Sequence, residues 1–326
     1  MRADGTRVYA DVAYAELRGF RPLLLDLYVP AAPLGPSAVT AAAAPVTEAS
    51  AGTPDLLPLV VWIHGGGFHS GDRRNLPETY PHNSVFDRLV AAGVAVATID
   101  YRLSGEATFP AQLDDVLVAI DYLRRYAPAY GIDADRIGTW GESAGGALAS
   151  LAGLTSGHVS AVVAWYPLTD LAHHHADRAD SVEAELLGAA PADVPELAAS
   201  ASAVSRVTAD APPFLIVHGD ADRVLPLDQS ERLHAALLAA GATSTLHVVP
   251  GADHCFEGYD NIGGLVDESV AFLSGTLSPA GSAERPSNPS PPSIPSPTST
   301  PSSASSSSAS LPLSLSAFSV GVADTR

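Results

Sequence analysis

Four short segments of the sequence carry residue types that can work together on a carbonyl group. Gly141-Glu142-Ser143-Ala144-Gly145-Gly146 satisfies a G-x-S-x-G pattern, in which the glycines permit a turn tight enough to expose the serine hydroxyl. His64-Gly65-Gly66-Gly67-Phe68 holds three residues without side chains, so amide N–H groups can approach a substrate oxygen. Preorganised donors of this kind, aimed at a developing oxyanion, are worth roughly 2.7–4 kcal/mol of barrier each. A serine hydroxyl is a weak nucleophile at neutral pH and needs a general base that a carboxylate orients. The segments His218-Gly219-Asp220-Ala221-Asp222-Arg223 and Gly251-Ala252-Asp253-His254-Cys255-Phe256 supply both. Ser143, Asp222 and His254 follow one another in the chain order expected when each stands in a loop at a strand end. Together they point to acyl transfer through an acyl-serine.

Each residue also has a plainer reading. A glycine-rich strand-to-helix turn can carry an ordinary serine, and a glycine run can cradle phosphate. No lysine and no G-x-G-x-x-G spacing support the phosphate reading. Asp220 competes with Asp222 for the acid role, with Asp253 a lesser alternative. His218 stands too close to its strand end to be the base and is read as structural. Cys255 adjoins His254, where a lone thiol is expected to line a pocket.

These loops need a sheet to hold them. Val8–Leu17 and Leu23–Val29 alternate in the manner of an antiparallel pair. Leu57–Ile63, Val94–Ile99, Ile137–Trp140, Val159–Trp165, Phe214–Val217 and Thr245–Val249 are short and nearly continuously apolar, the pattern of parallel strands buried on both faces. Helical patterns at Pro110–Tyr126, Ala144–Leu154, Gln229–Ala240 and Leu265–Leu273 separate most of them. Repeated β-then-α order predicts an α/β fold, a mostly parallel twisted sheet of about eight strands with helices on both faces. Chemistry in such sheets belongs at the carboxyl ends of the strands, where all four segments stand.

Composition removes several classes. All 17 cations are Arg, and the absence of Lys excludes Schiff-base and P-loop lysine chemistry. A net charge of −19 has the wrong sign for nucleic acid or an anionic bilayer, so neither is expected as a partner. Cys255 is the only cysteine, which excludes an internal disulfide and a multi-cysteine metal site. The N-terminus lacks the apolar stretch of about 7–15 residues of a secretory signal, and no apolar run approaches the ~20 residues of a membrane span. A cytoplasmic location without membrane insertion is the expectation. From Ser278 to Ser310, 14 of 33 residues are Ser and 8 are Pro, too little apolar surface to repay ordering the backbone. The expected organisation is one catalytic domain over 1–277, interrupted by an Ala/Pro-rich surface loop at 31–58, and a disordered tail over 278–326.

HGGGF at 64–68, DYRLS at 100–104, FPAQLDD at 109–115, GESAGG at 141–146, HGDADRVLP at 218–226 and GADH at 251–254 resemble, in order and spacing, the α/β-hydrolase superfamily. Within it they are similar to the hormone-sensitive-lipase-like carboxylesterases, over roughly residues 8–275. The stretch from Leu186-Leu187-Gly188 to Ala211-Pro212-Pro213 is similar to the bacterial branch that includes acetyl-xylan and feruloyl esterases. The resemblance implies the α/β-hydrolase fold, Ser143 as nucleophile, Asp222 as acid and His254 as base. It implies oxyanion donors at Gly66, Gly67 and Ala144, no cofactor, and a small-molecule ester as partner. Family members often carry a helical cap before the HGGG strand. Here strand-like sequence starts by Val8, so the connection 167–212 is the only sizeable lid and short acyl groups are favoured. An amidase such as an arylformamidase is the alternative on the same fold. A non-catalytic ligand binder is a second alternative, against which the complete triad argues. Phe68, Tyr101 and Phe256 flank the motifs and are the candidates to line the acyl or alcohol pocket; Trp62 is core or pocket.

Two further clusters are read as structural. His173-His174-His175, near Asp170 and Asp177, is expected to be a solvated loop, since adjacent imidazoles rarely converge on one ion and acyl transfer needs no metal. Asp114, Asp115 and Asp121 precede Arg124 and Arg125 on one helix, an order that would complement its macrodipole.

Overall fold

The computed structural model describes residues 1–31, 56–74, 76–81 and 84–279. Among these, β1 (Arg7–Ala15), β2 (Leu23–Val29), β3 (Leu57–Ile63), β4 (Ala95–Ile99), β5 (Ile132–Glu142), β6 (Val159–Trp165), β7 (Phe214–Gly219) and β8 (Ser244–Val249) make one sheet. Its order is β1-β2-β4-β3-β5-β6-β7-β8. The β1–β2 and β2–β4 pairings are antiparallel, and every later one is parallel. The helices are α1 (Ser84–Ala91), α2 (Ala111–Tyr130), α3 (Ala144–Thr155), α4 (Val182–Leu187), α5 (Pro195–Ala201), α6 (Asp228–Ala239) and α7 (Ile262–Thr276).

Successive strand side chains point to opposite faces, and here both faces are covered. On β3, Leu59, Val61 and Ile63 join the core beneath α2, α3 and α6, while Val60 and Trp62 join the core beneath α1 and α7. Trp62, Trp140 and Trp165 form an edge-to-face ladder across β3, β5 and β6, with ring centroids 5.6 and 5.1 Å apart. Trp62 is therefore core. Between β6 and β7 the lid region holds α4, α5 and single turns at Pro191–Asp193 and Ala203–Arg206.

One local expectation is corrected. α2 runs past Arg124 and Arg125 to Tyr130, ends on a left-handed Gly131 with φ 77°, and has no basic residue in its last turn. Arg124 and Arg125 thus do not meet the helix terminus. Asp115 pairs instead with Arg102 at 2.8 Å, a residue of the loop after β4. The eight-residue α1 was not anticipated, because so short an apolar segment lacks the repeated turns that make helical periodicity visible. The expected Ala/Pro-rich loop falls outside the described residues over 32–55, and the expected tail over 280–326. Among the described residues no helix is long and apolar enough to cross a membrane.

Candidate active site

β5 passes into α3 through Ser143, whose backbone sits at φ 53° and ψ −120°. A left-handed φ at a residue with a side chain costs about 1–3 kcal/mol and persists only where its surroundings impose it. They do so here. A Cβ on Gly141 would overlap the Gly145 carbonyl, and one on Gly145 would overlap the Ile63 carbonyl oxygen at the end of β3. The Ser143 amide donates to the Trp165 carbonyl at 2.9 Å, tying the turn to the end of β6.

His254, in the loop after β8, places Nε2 3.1 Å from Ser143 Oγ and Nδ1 2.7 Å from Asp222 Oδ2. A neutral imidazole that donates from Nδ1 to Asp222 leaves Nε2 free to accept the serine proton. The other oxygen, Asp222 Oδ1, accepts from the Val224 and Leu225 amides at 2.9 and 2.8 Å. Burial alone would raise the Asp222 carboxyl, but hydrogen bonds from His218 and His254 hold it well below the usual carboxylate range. His218 lies between Ser230 Oγ (2.6 Å) and the Leu225 carbonyl (2.9 Å), so it braces the Asp222 loop. Asp220 is turned away and accepts from the Gly251 amide at 2.6 Å. Asp253 accepts from the Arg223 amide at 2.9 Å and from the His254 amide at 2.7 Å. Of the three carboxylates weighed, Asp222 is the one brought to the imidazole of His254.

The glycine run after β3 bends over this serine, with Gly66 at φ 102° and Gly67 at φ 61°. Among the described residues their amides donate to no protein acceptor. Ala144 opens α3, where backbone N–H groups lack helical partners and the dipole favours negative charge. Gly66, Gly67, Ala144, Ser143 and His254 all line one cavity of about 430 Å³, walled further by apolar residues that include Phe68, Leu168 and Val182.

Sequence reasoning passed over two residues that hold this loop, Glu142 and Arg73, and took a third, Tyr101, for pocket lining. Glu142, the variable position of G-x-S-x-G, is buried and accepts from the Gly65 amide at 2.6 Å. Burial pushes its carboxyl above the ordinary value, with the Gly65 N–H opposing. An acidic residue directly after the uncharged run Ile137–Gly141 was the available signal. Arg73 is buried and donates to Asp100 (2.8 Å), Asp26 (3.0 Å) and Asp11, fastening the chain after the glycine run to β1, β2 and the end of β4. Nothing in local spacing announces that network. Tyr101 stacks on His64 with centroids 4.3 Å apart and donates to the His64 carbonyl at 3.0 Å.

The pocket assignments divide. Phe68 lines the cavity. Tyr101 and Phe256 do not, and both are essentially without exposed surface. Tyr101 lies behind the glycine run, and Phe256 packs edge-on against Trp165 and Tyr166 at 5.0 and 4.9 Å. Cys255 lines the cavity, its thiol pushed up to about 12 by burial and the nearby Glu142. The histidine run is not a solvated loop throughout. His174 turns inward and places Nδ1 2.6 Å from Glu183 Oε1, a carboxylate with no exposed surface, while His173 faces Asp228 at 3.0 Å.

Residues 48–237 match the family model BD-FAE, more than half of the chain. The chain belongs to the BD-FAE family. This BD-FAE chain is 33% identical to Esterase LipQ of Mycobacterium tuberculosis over 226 residues, 63% of the chain and 52% of that relative. It therefore spans about half the length of LipQ. It is 28% identical to the Acetyl esterase of Salmonella schwarzengrund over 244 residues, 67% of the chain and 71% of the relative. Among solved structures, a truncated carbohydrate esterase from gut microbiota is similar with a TM-score of 0.68 and 27% identity, covering 85% of the chain and 98% of its own. The α/β hydrolase MGS-M1 from a Medee basin deep-sea metagenome library shares the fold, with a TM-score of 0.62 and 19% identity over 84% of the chain and 99% of its own. The BD-FAE chain has the α/β-hydrolase fold.

Proposed function

We propose that this chain is a serine carboxylesterase acting on esters of short acyl groups. The observation that carries the reading is the relay from Ser143 Oγ through His254 (3.1 Å) to Asp222 (2.7 Å) at the wall of a cavity shared with free glycine amides. Ser143 Oγ attacks the ester carbonyl carbon as His254 Nε2 takes its proton, and Asp222 stabilises the imidazolium through Nδ1–H. The carbonyl oxygen becomes an oxyanion held by the Gly66, Gly67 and Ala144 amides. Collapse breaks the ester C–O bond, and the departing alkoxide receives the proton from His254. Water, deprotonated by the same nitrogen, then attacks the acyl-serine; the acid leaves and Ser143 recovers its proton.

The names of the acetyl esterase and carbohydrate esterase relatives support a small acyl group on a polar alcohol. Ser143→Ala should abolish p-nitrophenyl acetate hydrolysis while circular dichroism stays that of the parent; persistent hydrolysis by a folded variant overturns the reading. With p-nitrophenyl esters from acetate to decanoate, kcat/KM is expected to fall as the acyl chain lengthens. Faster turnover of N-formylkynurenine than of any short ester would place the activity on amides instead.

A further inference from the structure

We propose that His174, His175 and Glu183 form a binding site for a zinc-like divalent cation that ties the lid loop to α4. Glu183 is the second residue of α4, and its side chain has no exposed surface. One carboxylate oxygen, Oε1, lies 2.6 Å from His174 Nδ1. The other, Oε2, is buried and has no hydrogen-bond partner; the nearby His175 Nδ1 stands 3.6 Å away. A buried carboxylate oxygen without a donor is an incomplete arrangement, and its unused lone pairs face the second imidazole. The two rings lie with centroids only 3.8 Å apart, so charging both to satisfy Glu183 would set two imidazoliums against each other. One cation serves all three groups.

Geometry and chemistry agree on its kind. One donor atom from each residue can be chosen so that all lie within 4.8 Å of one another. Tetrahedral zinc, with bonds of about 2.0–2.2 Å to nitrogen and oxygen, sets its ligand atoms roughly 3.3–3.6 Å apart, so a contraction of the cluster closes the site. Two imidazoles and one carboxylate, with a fourth position left to water, suit borderline-soft Zn²⁺ or Co²⁺; Ca²⁺ and Mg²⁺ demand more oxygen ligands. On coordination through His174 Nδ1, the ring proton that Glu183 now accepts moves to Nε2, and the hydrogen bond is replaced by two bonds to the cation. His173 takes no part, since it is committed to Asp228 and Arg232. Val182, beside Glu183, lines the main cavity, so the cation would stiffen one wall of that cavity while taking no part in chemistry at Ser143.

The test uses the full chain, stripped with a chelator and titrated with Zn²⁺ or Co²⁺. The expected result is saturable binding of one equivalent, a melting temperature that rises with Zn²⁺ concentration, and the visible d–d bands of four-coordinate Co²⁺. Ca²⁺ and Mg²⁺ should produce none of these. His175→Asn suits the left-handed backbone at this position, φ 49°, and is expected to keep the metal-free melting temperature while weakening Zn²⁺ binding about tenfold or more. Glu183→Gln, of the same shape, should do likewise and serves if His175→Asn does not fold. His247→Asn, at the surface pair with Glu268, should leave binding unchanged. No saturable binding by the parent chain, or binding that both site variants retain within about twofold, overturns the proposal.

Discussion

Replacing Asp222 by Asn alters one functional group without altering its shape, which isolates what the carboxylate does. The Val224 and Leu225 amides donate to Oδ1 at 2.9 and 2.8 Å, so the asparagine must keep its carbonyl oxygen there. Its NH₂ then takes the Oδ2 position, 2.7 Å from His254 Nδ1. Two N–H groups cannot share that contact, so His254 carries its proton on Nε2 instead, 3.1 Å from Ser143 Oγ. An imidazole in that tautomer donates toward the serine and cannot be its base. The expected loss of kcat on p-nitrophenyl acetate is about 10,000-fold, or about 5.5 kcal/mol of transition-state stabilisation. KM should change far less, because the cavity walls are untouched. Labelling of Ser143 by a fluorophosphonate should slow in step. Asp220→Asn and Asp253→Asn, whose carboxylates face Gly251 and Arg223, should each keep kcat within about tenfold. The same carboxylate contributes to stability: its folded pKa lies below the ~3.9 of an unfolded Asp, so its contribution is present above that pH and lost as pH falls through the folded value. The melting temperature of Asp222→Asn should therefore trail the parent at neutral pH, with the gap narrowing in acid. A variant that retains kcat within about tenfold, or a stronger effect from Asp220→Asn, refutes the tautomer argument.

Other outcomes follow from the same geometry. Glu142→Gln keeps an acceptor for the Gly65 amide and should retain kcat within about tenfold, whereas Glu142→Ala frees the glycine run and should lower kcat about 100-fold at nearly constant KM; equal effects of the two would sink the positioning role. Gly145→Ala drives a methyl group into the Ile63 carbonyl and should cost at least about 3 kcal/mol in urea unfolding, or prevent soluble expression; a near-parental midpoint would contradict it. Cys255, its thiol pushed up to about 12, should resist iodoacetamide at pH 8 in the folded chain, and rapid alkylation with loss of activity would show the thiol to be ionised.

The sheet was legible because its information is local. Continuous apolar runs of strand length mark burial on both faces, and each of the eight expected strands has its counterpart, from β2 at Leu23–Val29 to β6 at Val159–Trp165. Boundaries moved where hydrogen bonding rather than hydropathy decides them, as in β5, which begins at Ile132 and continues through Glu142. The glycine run and the Ser143 turn were legible for a related reason: glycine at 66, 141 and 145 records a backbone requirement in the residue itself.

Contacts between distant segments left no such record. His254 meets Asp222 across 32 residues and Ser143 across 111, and motif order alone had left Asp220 and Asp253 open. Tyr101 and Phe256 flank motifs along the chain, yet one lies behind the glycine run and the other within an aromatic cluster. Arg73 gathers carboxylates from three separate strands and their ends, and Glu183 reaches the histidine run only because α4 folds back beside it. Local hydropathy and glycine placement were thus enough for the α/β architecture and for the two glycine-dependent turns that frame the proposed site. Which side chains face one another was decided by tertiary packing, because a side chain's partners depend on how elements cross in space and not on their spacing in the chain.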